Sequence, residues 1–334
     1  MSAAVETVGQ RQTGVTDAAT AWARRNAWIV ALSGLLIVLV VLRKIAQPNY
    51  GAPAIQALGI SILPDALAAI AQAIAVIAGG IDLSIESMMA LTNVTSAVLM
   101  QGQSDVFAIG VVIGTLLLGV VLGAVNGALI VVTRVPDIVV TLAMWFVWAG
   151  LALLVLNTPG GGSAQWLMES IRGPLVFPWL PRGLVVLAII VAVVWIPLRR
   201  SNLGLSMYAL GSNRLAAFRS GVNVARTKIA AYALTGLFSA LAGLSITANT
   251  GQGVPVPGPY TLESVAAIVL GGVSLAGGRG GVVGPVLAIV VLYLIGTDLT
   301  FLGVNPNFSQ VIQGAILIGV VMFGTFVAIR QARR

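Results

Sequence analysis

The sequence contains no cysteine and no histidine. Disulfides, thiolate nucleophiles, imidazole bases and His/Cys metal sites are excluded together, and neither a metal nor a cofactor is expected. Lysine occurs only as Lys44 and Lys228, and neither follows a glycine. A Walker-type phosphate loop requires Gly-Lys, so none is encoded. If ATP drives this protein, another polypeptide binds the ATP. Charge of either sign is scarce, at 8% of 334 residues, whereas 58% are hydrophobic and the mean hydropathy is +1.01. Soluble domains are about a quarter charged. A chain this apolar has lipid as its main solvent and is expected to be a polytopic membrane protein.

A spanning helix needs about 20 mostly apolar residues. The hydrophobic runs predict an all-α transmembrane helical bundle of about ten spans. They lie near 27–42, 55–79, 84–101, 106–133, 137–156, 183–198, 229–249, 262–276, 283–302 and 307–329. The weakest are 84–101, with Asn93 and several Ser and Thr, and 262–276, which opens at Glu263 and ends in glycines. Either is a candidate re-entrant or broken helix buried within protein. The first run follows Arg24 and Arg25 with no small-residue cleavage site after it, which reads as a retained signal-anchor.

The net charge of +8 reads as topology signal rather than nucleic-acid binding. With the N-terminus inside and spans alternating, only Arg43, Lys44, Arg172 and Arg182 fall outside. The other fourteen of the eighteen basic residues fall on cytoplasmic segments, six of them in the loop at about 199–228. That bias predicts an even span count with both termini cytoplasmic. The domain reading is a cytoplasmic tail over 1–26, one transmembrane domain over 27–329 and a short tail over 330–334. The external loop at about 157–182 carries Trp166 and Trp179 as expected interface anchors, and a receptor-docking role is open to it.

In the fourth span Gly119, Gly123 and Gly127 are spaced by four, as a seam for close helix packing requires. That span is about 42 Å long at 1.5 Å per residue, longer than a hydrocarbon core of about 30 Å. It must tilt, protrude or break, and the expected break is Asn126-Gly127.

Three segments stand out. Gly79-Gly80-Ile81-Asp82-Leu83-Ser84 places two glycines at a helix end, with Asp82 or Ser84 able to cap the next helix. Asp82 and Glu86 are four apart and are expected to share a helix face. Residues 210–222 lie in the basic loop and predict a short helix, with Ala216, Ala217 and Ser220 on a small-residue face and Gly221 as its stop. It is either a docking element for a cytoplasmic partner or a surface connector. The third segment, Gly271 to Gly281, has six glycines in eleven residues and predicts a tight turn before Gly284-Pro285.

These segments, in this order, resemble the permease family of ribose, xylose, arabinose, galactoside and autoinducer-2 ABC importers. The family pattern has GGIDLS after the second span, N-x-x-A-A-x-x-S-G in the cytoplasmic loop and GG-x-S-x-x-GGRG before the ninth span. Here the matching residues are Gly79, Gly80, Asp82 and Ser84; Asn213, Ala216, Ala217, Ser220 and Gly221; and Gly271, Gly272, Gly277, Gly278 and Arg279. The resemblance runs from about residue 55 to 325. It implies one of two permease subunits, identical or paralogous, in a bacterial inner membrane. The helix at 213–221, Arg219 included, would seat in a cytoplasmic ATPase, and a periplasmic binding protein would deliver a sugar. Two departures stand out. Glu86-Ser87 replaces a small glycine position, and Arg214-Leu215 stands where an acidic residue is usual.

Asn93, Asn126 and Glu263 are candidates for the solute path, with interhelical hydrogen bonding as the competing role. No residue is a candidate catalyst. Related permeases also move nucleosides or branched-chain amino acids. An ion-coupled secondary transporter would need intramembrane carboxylates, and Asp65, Asp82, Asp137, Glu263 and Asp298 mostly sit at predicted span ends. A membrane enzyme has little chemistry to draw on here.

Overall fold

The computed structural model describes residues 27–305 continuously and only scattered positions from there to 322. Among the described residues every regular element is helical: α1 Ala27–Ala46, α2 Ala52–Ile77, α3 Ile85–Met100, α4 Asp105–Thr133, α5 Asp137–Val155, α6 Gln165–Ile171, α7 Arg182–Arg200, α8 Asn202–Ser212, α9 Arg214–Arg219, α10 Val224–Thr250, α11 Tyr260–Leu270 and α12 Val283–Phe301. Seven of these, α1, α2, α4, α5, α7, α10 and α12, are long and apolar enough to cross a membrane. The protein is therefore a multi-pass helical membrane protein. The predicted span at 307–329 lies mostly outside the described residues.

Helices α2 and α10 form the centre. Most of α2 is buried, as is two thirds of the apolar window of α10, whereas α4, α5, α7 and α12 leave most of their surface to the surroundings. α10 packs on α4, α2 and α3; α12 packs on α1, α2 and α11. The α4–α10 contact is the glycine seam. A Cβ on Gly119 or Gly123 would overlap the backbone oxygen of Gly236 or Tyr232, and one on Gly127 would come within 2.8 Å of Ile229 Cα. The two backbones meet in direct contact, with the small Ala240 methyl packed against Gly119.

The expected break in α4 does not occur. The helix runs unbroken from Asp105 to Thr133 and stops at Arg134, which takes φ 59°. Asn126 does not unwind it, because neighbouring helices occupy its amide. α7 does change pitch, with a π-helical stretch at Val191–Trp195 ahead of Pro197. A proline has no N–H for the ordinary i−4 bond, and the widened turn absorbs that loss.

The two weak spans, α3 and α11, are half-helices. α2 ends at Ile77, and residues 80–84 then run back into the bundle without helical structure. Tyr232, eight residues into α10, reaches the Ile81 carbonyl at 3.4 Å, about 12 Å from the start of α10 at 1.5 Å per residue. α3 therefore starts well inside the bundle and emerges at the end that carries α6. At that end Gly253 and Gly160 pair through two backbone bonds, of 3.1 and 2.7 Å. The chain then descends beside α3. Val254 N–H donates to Asn93 Oδ1 at 2.6 Å, and Glu86 N–H, one half-helix lower, donates to Thr261 Oγ1 at 3.1 Å. The N-termini of α3 and α11 thus meet inside the protein, and α11 continues to the end that carries α9. Irregular backbone at such depth survives because it is enclosed by protein.

Candidate functional site

The three sequence motifs, far apart along the chain, meet at one point at the α9 end. Gly278 N–H donates to the Ile77 carbonyl at 3.0 Å. A Cβ on Gly79 would lie 3.1 Å from Gly211 Cα, and one on Gly277 would lie 3.0 Å from Gly79 Cα. A Cβ on Gly211 would overlap the Ile77 carbonyl, and one on Gly278 would overlap the Ser212 hydroxyl. Three backbone turns are interlocked in direct contact, with the Ser212 hydroxyl packed against Gly278. Gly79, Gly277 and Gly278 have φ of 73°, 86° and 68°, which an L side chain rarely adopts. Gly271 does similar work one turn away, against the backbone of Gly284 and Pro285. Gly272 and Arg279 are exposed on the turn itself.

From Gly211 the chain enters α9. Asn213 caps it, accepting from Ala216 N–H at 3.0 Å, and Gly221 ends it with φ 85°. Ala217 faces inward and is buried, while Asn213, Ala216, Arg219, Ser220 and Gly221 are exposed. The same helix exposes Leu215 at 58% and Phe218 at 67%. Small-residue spacing gave no signal for these two; an apolar pair on a six-residue helix in a basic loop would have. The loop expected at 199–228 is itself mostly helical, since α8 packs Met207 and Leu210 inward. A cavity of about 1170 Å³ opens beside α9, lined by Asp137, Gly211, Asn213, Leu215, Phe218 and Lys228 among others. Lys228 forms an ion pair with Asp137 and donates to the Gly79 carbonyl at 3.3 Å; Tyr232 donates to Asp137 at 2.9 Å. This cluster clamps the start of the inward-running segment.

Deeper in, Asp82 is fully buried. Its Oδ1 accepts from Ser84 N–H at 2.8 Å and from the Ser84 hydroxyl at 2.6 Å. Ser84 stands at the N-cap position of α3, but its side chain does not cap. It accepts instead from Asn126 Nδ2 at 2.7 Å, and Asn126 Oδ1 accepts from Trp148 Nε1 at 3.2 Å. Asp82 and Glu86 do not share a helix face. Asp82 precedes α3 in non-helical backbone, and Glu86, in the first turn, lies beside Thr261.

Of the three solute-path candidates, Asn93 and Asn126 are wholly buried and bonded. Asn93 Nδ2 donates to Thr247 Oγ1 at 2.7 Å. Neither lines a cavity described here. Glu263 is exposed, in the first turn of α11, and lines a second cavity of about 580 Å³ with Asp65.

Residues 54–321 match a family model described as the branched-chain amino acid transport system / permease component. The chain belongs to this permease family. It is a transport component, not an enzyme. Among its relatives is the ribose import permease protein RbsC of Escherichia coli strain K12, 31% identical over 312 residues, covering 89% of this chain and 94% of the relative. RbsC of Bacillus subtilis strain 168 is 32% identical over 291 residues, 86% of this chain and 89% of that one. The autoinducer 2 import system permease protein LsrD of Escherichia coli strain HS is 30% identical over 316 residues, 89% and 92% respectively. No solved structure matches the permease significantly.

Proposed function

We propose that this permease is the membrane-spanning subunit of an ATP-driven bacterial importer, set in the inner membrane, that takes a sugar from a periplasmic binding protein. Family membership carries the reading, and the named relatives steer it toward sugars even though the family description mentions amino acids. The chain encodes no Gly-Lys phosphate loop, so ATP binding falls to a separate cytoplasmic subunit. That subunit docks on α9, through Asn213, Ala216, Arg219, Ser220 and Gly221 together with Leu215 and Phe218. Ala217 contributes by packing the helix onto the permease. The glycine junction links α9 to the GGIDLS segment without compressible side chains, so a push on α9 reaches the α3 N-terminus directly. A second permease subunit, identical or paralogous, completes the solute path, and Glu263 lies on this chain's side of it.

The test is uptake of labelled D-ribose and D-fructose in cells expressing the permease with an ATPase and a sugar-binding protein of the same importer family from its own genome. Uptake is expected to require all three and to vanish when the ATPase is inactivated. Uptake that persists without the ATPase and collapses with the proton or sodium gradient would make the chain a secondary transporter.

A further inference from the structure

α11 begins inside the bundle, where its N-terminus meets that of α3. Its first turn nevertheless exposes Leu262, at 71%, and Glu263. A carboxylate at this depth is costly against lipid. The face therefore looks onto water or solute rather than acyl chains. The adjoining cavity lies between α2, α11 and α12 and is bordered by Gly314 beyond α12, with Asp65, Glu263 and Tyr293 as polar wall and Ile289 and Leu292 as apolar wall. Its volume, about 580 Å³, lies within the roughly 300–1,000 Å³ usual for small-molecule sites. Asp65 Oδ1 is enclosed and has no hydrogen-bond partner, though it lies within reach of the Glu263 carboxyl. Neither acid has an ion-pair partner among the described residues, where the pairs are Arg43–Asp298 and Lys228–Asp137. Paired carboxyls beside a helix N-terminus, over a mixed polar and apolar wall, are suited to adjacent hydroxyl donors.

We infer that Asp65 and Glu263 form a hydroxyl-recognition subsite for a polyhydroxylated solute on its way through the permease. Each carboxyl accepts one of two neighbouring O–H groups, and the C–H face of the solute rests on Ile289 and Leu292. The inference rests on the sugar-import reading and deepens it.

The chain has no cysteine, so Leu262→Cys, on the same cavity wall and leaving both carboxyls in place, supplies a single thiol. In open membranes carrying the whole importer, this thiol is expected to react with a charged, water-soluble methanethiosulfonate. Saturating D-ribose or D-fructose is expected to slow the reaction, and putrescine is not. No reaction would mean the face is sealed against a partner subunit and would overturn the subsite. Protection by putrescine alone would overturn the hydroxyl chemistry. In uptake assays at matched membrane abundance, Glu263→Gln and Asp65→Asn are expected to slow transport about tenfold, and Glu263→Asp to retain more of it. Wild-type rates in Glu263→Gln would refute the proposal even if Asp65→Asn fails to accumulate. A wild-type importer whose ATP-dependent uptake is confined to solutes other than sugars refutes the sugar reading itself, whatever the labelling shows.

Discussion

Asn126 shows what a single residue does in this fold and why the sequence misled about it. Asparagine is a weak helix former because its side chain competes for nearby backbone groups. In α4 that competition is absent, because Ser84 and Trp148 occupy both ends of the amide. The residue that looked like a break is a three-way tie between α4, the start of α3 and α5. Hydrogen bonds between membrane helices average about 0.6 kcal/mol. Asn126→Ala removes two at once and strands a buried indole N–H, so the expected loss is larger, about 1–2 kcal/mol. The thermal midpoint of the full-length permease in detergent measures it. A midpoint equal to wild type would mean that the Trp148 and Ser84 bonds contribute nothing. Glu263, by contrast, was singled out from type and place alone and does line a cavity, whereas its neighbour Asp65 was not named for that role. Asp65 follows Pro64 in the middle of α2, and only tertiary packing brings it to α11.

At the scale of elements, the glycine stripe was readable because its spacing alone places three small residues on one face. Its partner on α10 is Gly236 with Ala240 four residues on, a shorter small-residue stripe hidden among the other Ala, Ser and Thr of that helix. The contrast within α4 makes a sharp prediction. A Cβ on Gly123 would overlap the Tyr232 carbonyl and lie 2.9 Å from Gly236 N, all rigid backbone; one on Gly114 would meet nothing within 4 Å. Gly123→Ala is therefore expected to push α4 off α10 and cost about 1–3 kcal/mol, as overpacking does. Gly114→Ala is expected to be neutral or slightly stabilising, since alanine favours helix over glycine. Paired melting curves of the two purified variants decide it, and equal effects would deny the seam its role. Composition marked α3 and α11 as weak spans, but not how they end. A run of 11 or 16 apolar residues can finish inside a bundle only if something there accepts its free N–H groups. Here the acceptor for Glu86 N–H is Thr261, 175 positions along the chain.

At the scale of the whole molecule, half-helices and topology constrain each other. Arg134, Arg199, Arg200, Arg214, Arg219, Arg226, Lys228 and Arg279 all belong to the α9 end or its approaches, and Arg43, Lys44, Arg172 and Arg182 to the α6 end. The charge asymmetry seen in the sequence survives as an asymmetry of two faces. The positive-inside rule therefore predicts that the α9 face is the cytoplasmic one. Two of the crossings are then completed partly by non-helical chain, residues 80–84 before α3 and 251–259 before α11. The seven span-length helices and these two make nine crossings among the described residues, and the tenth expected span, at 307–329, lies mostly outside them. Insertion reporters test this on the intact chain. An alkaline phosphatase fusion after Gly162, in the segment joining α5 to α6, is expected to be active, and fusions after Gly281 and after Arg334 inactive. Activity after Gly281 would mean that α11 does not return to the cytoplasmic face and would undo the half-helix pairing. Activity after Arg334 alone would leave that pairing intact and place the C-terminus outside, making the number of crossings odd.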